Sequence, residues 1–197
     1  MMLVLQTTSY KQMVPSNVIE AKRIATQNGF LDSCIDEVGL LLRTLTAQVI
    51  NGKVCEIGTG FGVGSSWILE ALKPDSEFIT IDNDIEKINS VVRYISGPNI
   101  NVVHGDWKGI LKSQPFDLLF ADGGKAKELE PNLLFESLKV GGTILLDDLT
   151  PLELWPDDWK GKEDIVRKYW LQHSKMQCTE LRVTTDHVVI IGVKTSN

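Results

Sequence analysis

The sequence lacks several features that would place it in a specialised class of protein. It has 3 cysteines in 197 residues and no C-x-x-C pair, a pattern that fits neither a disulfide framework nor a zinc knuckle. No apolar run reaches the roughly 18 residues that a membrane-spanning helix needs. The N-terminus has no basic leader of the kind that precedes a secretory signal. We therefore expect a cytoplasmic protein without a membrane partner.

Basic residues are also fewer than acidic residues. The chain carries 20 lysine and arginine residues against 26 aspartate and glutamate residues, which gives a net charge of −6. That balance argues against broad attraction to nucleic-acid backbones or to anionic membranes. Hydrophobic residues (43%) and charged residues (23%) are present at ordinary globular levels. The length then predicts a single folded domain over residues 1–197.

Short β-branched runs alternate with longer amphipathic stretches, which is typical of βα units around a parallel sheet. Predicted helices cover residues 17–27, 35–49, 65–72, 84–95, 125–138 and 162–173. Predicted strands cover residues 53–57, 77–81, 100–104, 116–121, 142–146, 176–183 and 187–193. The last two strands form an antiparallel hairpin, and the helices within residues 1–50 pack on the sheet. We predict a doubly wound α/β fold with a seven-stranded, mainly parallel sheet.

A glycine loop follows the first predicted strand and precedes a helix. It reads VCEIGTGFGVG over residues 54–64, with glycines at four alternate positions. Glycines there allow positive φ and let a ligand approach the main-chain N–H groups of a helix N-terminus, whereas a tight βα turn needs only one or two. The dinucleotide pattern G-x-G-x-x-G fails in every frame, because Val63, Ser65 and Trp67 occupy its third glycine position. A nicotinamide oxidoreductase is therefore disfavoured.

The charge beside this loop indicates a cationic ligand. Glu56 would repel a diphosphate but suits a ligand with an ammonium or sulfonium group. The pattern E-x-G-x-G-x-G resembles the class I S-adenosylmethionine-dependent methyltransferases. In that resemblance Asp82 accepts hydrogen bonds from the ribose hydroxyls and Asp106 accepts one from the adenine amine, although each could instead be a plain helix cap. The cofactor-binding residues would be Glu56, Gly58, Thr59, Gly60, Phe61, Gly62, Ser65, Asp82, Asn83, Gly105, Asp106, Trp107 and Asp122.

Three carboxylates follow the fourth and fifth predicted strands. Asp122 ends the fourth, and Asp147 and Asp148 end the fifth. Because the carboxyl ends of neighbouring strands lie side by side in a doubly wound sheet, these side chains should converge. Such a group needs a cation or a proton among its charges, and Mg²⁺ or Ca²⁺ prefers oxygen ligands. The alternative is a metal-independent enzyme in which Asp148 caps a turn and Asp122 orients a loop.

Over about residues 30–193 the chain is similar to the catechol and caffeoyl-coenzyme A O-methyltransferase family. That family carries D-x-x-K after strand four, here Asp122 to Lys125, and D-N after strand five, here Asp147-Asp148. The likeness implies three metal ligands, Asp122, Asp147 and Asp148, and two catalytic residues, Asp122 and Lys125. Lys125 would be the base, or else an ordinary surface lysine. The implied reaction transfers methyl from S-adenosylmethionine to a small catechol-like aromatic with Mg²⁺.

Other functions remain open on the sequence. The acceptor is a hydroxylated tRNA base in some bacterial relatives, and a non-catalytic S-adenosylmethionine-binding protein would use only the cofactor residues. Relatives are often dimers, so we expect a homodimer. Trp155 and Trp159, in the segment 149–161, would line the acceptor, anchor the loop or contact a second subunit. The histidines are interpreted as structural residues: His104, His173 and His187.

Overall fold

One seven-stranded sheet forms the centre of the computed structural model, which describes residues 14–123 and 125–197. The strands are β1 (Lys53–Ile57), β2 (Glu77–Asp82), β3 (Ile100–His104), β4 (Phe116–Ala121), β5 (Leu138–Leu149), β6 (Met176–Arg182) and β7 (Val188–Lys194). Their order is β3-β2-β1-β4-β5-β7-β6. Pairing is parallel from β3 to β5, and β7 is antiparallel to both β5 and β6. The predicted mainly parallel sheet with a C-terminal hairpin is confirmed.

Helices cover both faces of this sheet. They are α1 (Ser16–Gln27), α2 (Asp36–Ala47), α3 (Val63–Leu69), α4 (Ile85–Val91), α5 (Ala126–Leu129), α6 (Pro131–Ser137) and α7 (Ile165–Leu171), with 3-10 helices at Trp107–Ser113 and Leu152–Leu154. The first two helices pack differently: α1 contacts α3, and α2 contacts α3, β4 and β5. In the described part of the chain, no helix has both the length and the apolarity to cross a bilayer.

The core has two layers, one on each side of the sheet. Strand β4 shows why: Leu118 and Phe120 belong to the cluster under α1–α3, whereas Leu119 and Ala121 belong to the cluster under α6 and α7. Side chains alternate along a strand, so the part of β4 that is buried on both faces, residues 118–121, is apolar at consecutive positions. Cys55 is fully buried in the second of these clusters.

Several predicted bounds differ from the structure by a few residues, and two of the differences have a clear physical cause. The single helix expected over residues 125–138 is two helices, α5 and α6, because Pro131 has no N–H to continue the α5 ladder and instead occupies the first turn of α6. Strand β5 begins at Leu138 rather than at Gly142. Its register against β4 shifts between Phe116 and Leu118, and Gly141, at φ +85°, absorbs the irregularity.

Candidate active site

A cavity of about 580 Å³ opens at the carboxyl ends of β1, β2, β3 and β4. This is where the chain order reverses direction in the sheet, the place where doubly wound folds bind ligands. Most of the predicted site residues line it: Gly58, Thr59, Gly60, Phe61, Asp82, Asn83, Gly105, Asp106, Trp107, Asp122, Lys125 and Asp148. The others, Glu56, Gly62, Ser65 and Asp147, lie outside its lining. The segment between α1 and α2 adds Phe30, Asp32, Ser33 and Cys34 to the wall.

The glycine loop has the backbone conformation that its composition indicates. Gly58, Gly60 and Gly62 have φ angles of +99°, +53° and +75°, in the region that side chains disfavour. At Gly58 a Cβ atom would also lie 2.8 Å from the main-chain nitrogen of Gly123, at the end of β4. The loop can therefore pass this close to the β4 end only with glycine at position 58, and its backbone is exposed to the cavity.

Asp82 is fixed at the cavity wall by the loop itself. Its Oδ2 accepts the Gly60 N–H at 2.9 Å, and its Oδ1 accepts the Asp84 N–H at 3.0 Å. The cap of α4 is Asp84, whose Oδ1 accepts the Glu86 N–H at 2.9 Å. The capping role is thus filled by the neighbour, and Asp82 lies at the cavity wall, where a contact with ribose hydroxyls stays a prediction.

Asp106 is placed differently. It caps the 3-10 helix Trp107–Ser113 by accepting the Lys108 N–H at 2.8 Å, and it also lines the cavity. Asp106 is therefore a helix cap in the structure, while its contact with adenine stays a prediction. His104, just before it, makes a 3.2 Å hydrogen bond through Nε2 with the main-chain oxygen of Asn83.

Glu56 supports the loop from below. Its side chain is fully buried, and its Oε2 accepts hydrogen bonds from Thr80 Oγ1 at 2.6 Å and from Ser65 Oγ. Burial raises the pKa of Glu56 to about 7, although the hydrogen bonds from Ser65 and Thr80 act in the opposite direction. The residue thus ties β1, β2 and the start of α3 together beneath the cavity floor.

Because the pKa of Glu56 rises on folding, this residue should weaken the fold as the pH increases. The folded state holds the proton between pH 4.5 and about 7 while the unfolded state releases it, so its contribution to the free energy of unfolding falls across that window. Glu56→Gln should not show this loss. The difference between its free energy of unfolding and that of the wild type should therefore be about 3 kcal/mol more favourable to the variant at pH 8 than at pH 4. Urea unfolding of both proteins at the two pH values, without cofactor, tests this. Parallel pH dependences would contradict it.

Asp147 and Asp148 occupy a bulge in β5. The register of β5 against β7 shifts between Leu146 and Leu149, so β5 carries an extra residue there. Asp148 adopts a left-handed φ of +59°. Asp147 is buried and Asp148 is exposed to the cavity. The bulge re-aims two consecutive carboxylates that a regular strand would send to opposite faces.

The three predicted carboxylates come together at this bulge. Burial, followed by the charges of Asp147 and Asp148, raises the pKa of Asp122 well above its usual range. Burial and the charge of Asp147 likewise raise the pKa of Asp148, whose side chain is hydrogen-bonded to Asp122. The concentration of negative charge at the edge of the cavity agrees with the sequence-based expectation.

Two basic residues that the sequence interpretation did not assign to the site contact this cluster. His187 Nε2 lies 2.5 Å from Asp147 Oδ1, and Lys127 Nζ donates to the main-chain oxygen of Asp147. The hydrogen bond to Asp147 raises the pKa of His187. Sequence spacing gave no signal for His187, because only the pairing of β7 with β5 brings it beside the bulge.

Lys125 and the two loop tryptophans, Trp155 and Trp159, lie away from the carboxylate cluster. Lys125 is exposed at the start of α5, with φ +52°, and lines the cavity. Trp155 and Trp159 pack edge to face with ring centroids 5.8 Å apart, and neither lines the cavity. The tryptophans therefore contact each other within their loop rather than the wall of the described cavity.

The donor set suits a divalent cation. Asp147, Asp148 and His187 each offer a ligand atom, and these atoms lie within 4.8 Å of one another. Asp122 is connected to them through its hydrogen bond with Asp148. Carboxylate oxygens are the ligands that Mg²⁺, Ca²⁺ and Mn²⁺ prefer. Two of the three predicted ligands, Asp147 and Asp148, thus fit a divalent cation, and the third donor atom within that distance belongs to His187 rather than to Asp122.

Comparison with known proteins agrees with this architecture. Residues 55–149 match a family model described as a methyltransferase domain. The chain is 32% identical over 117 residues to a protein-L-isoaspartate O-methyltransferase from Methanococcus vannielii, an alignment that covers 57% of this chain and 54% of that protein. The chain thus spans about half the length of the curated relatives it matches.

Solved structures resemble it over nearly the whole chain. An O-methyltransferase of Streptomyces achromogenes involved in tomaymycin synthesis, in complex with SAM, aligns at a TM-score of 0.77 and 19% identity, covering 95% of this chain and 93% of that one. An O-methyltransferase of Bacillus cereus in complex with SAH aligns at 0.77 and 18%, covering 94% of each chain. These similarities show the fold.

Proposed function

We propose that this chain, which has the class I methyltransferase fold and a match to a methyltransferase domain over residues 55–149, is an S-adenosylmethionine-dependent O-methyltransferase assisted by a divalent cation. Its acceptor is a hydroxyl group of a small, catechol-like aromatic. The observation that carries the proposal is the meeting, at one cavity, of a left-handed glycine loop, the oriented Asp82 carboxylate and the acidic bulge of β5.

The cofactor half of the proposal rests on the glycine loop and on Asp82. The positive φ angles of Gly58 and Gly60 let the loop backbone line the cavity without side chains, and Asp82 presents a carboxylate beside it for the ribose hydroxyls. S-adenosylmethionine supplies an electrophilic methyl group on a sulfonium centre. Acidic side chains along the cavity wall, among them Asp82 and Asp122, favour such a cation electrostatically.

The acceptor half rests on the carboxylates around the bulge. Asp122, Asp147 and Asp148 would hold a divalent cation, which would lower the pKa of an acceptor hydroxyl and orient it. Lys127 fixes the bulge by its hydrogen bond to the Asp147 carbonyl. Lys125, on the cavity wall, would receive the proton that the acceptor hydroxyl loses.

The proposal is tested by transfer of a labelled methyl group from S-adenosylmethionine to a panel of vicinal dihydroxy aromatics, with Mg²⁺ and in parallel with EDTA. We expect transfer with Mg²⁺, attachment of the label to oxygen, and loss of transfer with EDTA. Equal transfer in both tubes would overturn the metal role. Transfer to none of the acceptors, by protein that binds S-adenosylmethionine, would overturn the proposed acceptor class.

Lys125→Ala should lower the rate of transfer about a hundredfold, the usual contribution of a positioned base. Affinity for S-adenosylmethionine should stay within threefold of wild type (about 0.7 kcal/mol), since the side chain is assigned to the acceptor. Initial rates and calorimetric titration measure the two quantities. Lys112→Ala, an exposed lysine in the 3-10 helix Trp107–Ser113, is the matched control. Similar rates for the two variants would remove Lys125 as the base.

A further inference from the structure

His187 reaches the acidic bulge of β5 from a distant part of the sequence. It directly precedes β7, whose first residue, Val188, pairs with Leu149 at the end of β5. The pairing places the imidazole beside the carboxylate of Asp147, 40 residues earlier in the chain. The extra residue in β5 at this point turns Asp148 to the same region.

The two atoms in contact, a nitrogen of His187 and an oxygen of Asp147, are both possible ligands of one metal ion. Nε2 of His187 lies 2.5 Å from Oδ1 of Asp147, and a ligand atom of Asp148 completes a group whose members are within 4.8 Å of one another. The Asp147 side chain is buried, and that of His187 is one-fifth exposed, so the nitrogen is held facing the carboxylates rather than bulk water. The donor set at this edge of the cavity thus includes nitrogen as well as oxygen.

A nitrogen donor changes which ion such a site prefers. Mg²⁺ binds oxygen ligands and loses its water reluctantly, whereas imidazole suits first-row transition ions. A three-carboxylate site would be satisfied by Mg²⁺, and adding one imidazole lowers the relative advantage of a hard ion. The chemistry of the ligand set, rather than the fold, should therefore decide the metal.

We propose that His187 is a ligand of the divalent cation together with Asp147 and Asp148, and that it shifts the preference of the site from Mg²⁺ toward a first-row transition-metal ion. This inference rests on the proposed function for the existence of a cation site, and it adds the identity of one ligand and the class of ion. A purely structural histidine would stabilise the β5–β7 junction and leave metal selectivity unchanged.

The test compares Co²⁺ and Mg²⁺ binding to the wild-type chain, to His187→Gln and to His173→Gln. Glutamine offers an amide oxygen in place of the imidazole nitrogen. His173 packs against the rings of Phe135 and Tyr169 and serves as the matched control. Calorimetry gives the two affinities, and the visible absorption of bound Co²⁺ reports directly on its ligands.

We expect the wild type to bind Co²⁺ more tightly than Mg²⁺. His187→Gln should weaken Co²⁺ binding by at least about tenfold, change the Co²⁺ spectrum and leave Mg²⁺ affinity within about threefold. The His173→Gln protein should match the wild type in all three measurements. If His187→Gln fails to fold, equal affinities of the wild type for the two ions would still overturn the proposal.

Three other results have distinct meanings. A wild type that binds both ions, with Co²⁺ affinity and spectrum unchanged in His187→Gln, overturns the role of His187 but leaves the metal-assisted reaction intact. Equal weakening of both ions in His187→Gln also overturns the proposal, since it indicates a general loss of the site. A wild type that binds neither ion while transferring methyl groups in EDTA overturns the cation site itself, and with it this inference.

Discussion

Asp147→Ala is expected to reduce the rate of methyl transfer about a thousandfold, because the loss of several kcal/mol of metal-derived stabilisation corresponds to that factor. Asp147 is 1% exposed, and its carboxylate is the contact point of His187 in the bulge. Removing it takes away one proposed ligand and leaves the imidazole without its partner. Initial rates at saturating S-adenosylmethionine and acceptor measure the effect.

The Asp147→Ala experiment needs a readout for folding, since a buried carboxylate is being removed. Affinity for S-adenosylmethionine serves this purpose and should remain within threefold of wild type (about 0.7 kcal/mol), because Asp147 does not line the cavity. Asp157→Ala, whose side chain is 95% exposed in the loop before α7, is the matched control and should keep full activity. A wild-type rate in Asp147→Ala would remove the acidic bulge from the mechanism.

Asp82→Ala is expected to weaken S-adenosylmethionine binding about a thousandfold. Two hydrogen bonds from ribose hydroxyls to a carboxylate are each worth about 1.5–3 kcal/mol, and about 1.4 kcal/mol corresponds to tenfold in affinity. The same substitution also removes the acceptor that holds the Gly60 N–H in the glycine loop. Calorimetric titration measures the change.

Asp84→Ala provides the control for Asp82. This neighbouring carboxylate caps α4 and does not line the cavity, so its loss should cost about 1 kcal/mol of stability and leave cofactor affinity nearly unchanged. Equal affinities for the two variants would mean that the Asp82 carboxylate does not contact the cofactor. The pair therefore separates a ligand contact from a helix cap at positions two residues apart.

The strands were predictable because their physical signature is local. Strands β1, β3 and β4 have the predicted bounds, since each is a short run made up mostly of apolar or β-branched residues between turn signals. The glycine loop and Asp82 were equally readable, because both follow directly from the end of a strand. These features depend on residues that are close in sequence.

Features that depend on pairing between distant segments were not predictable. The bulge at Asp147 and Asp148 is a mismatch between β5 and β7, and no local pattern distinguishes it from a regular strand end. His187 joins the site through the same pairing. The break between α5 and α6 is a different case, because Pro131 is a local signal in the sequence that is sufficient to predict it.

The cofactor site proposed for this chain is the cavity at the carboxyl ends of β1, β2, β3 and β4, which should bind S-adenosylmethionine. Calorimetric titration of the native wild-type chain with S-adenosylmethionine, followed by competition with S-adenosylhomocysteine and with NADH, tests it most directly. We expect saturable binding of one S-adenosylmethionine per chain, displaced by S-adenosylhomocysteine and unaffected by NADH. Displacement by NADH, or no binding of S-adenosylmethionine to folded protein, would contradict it.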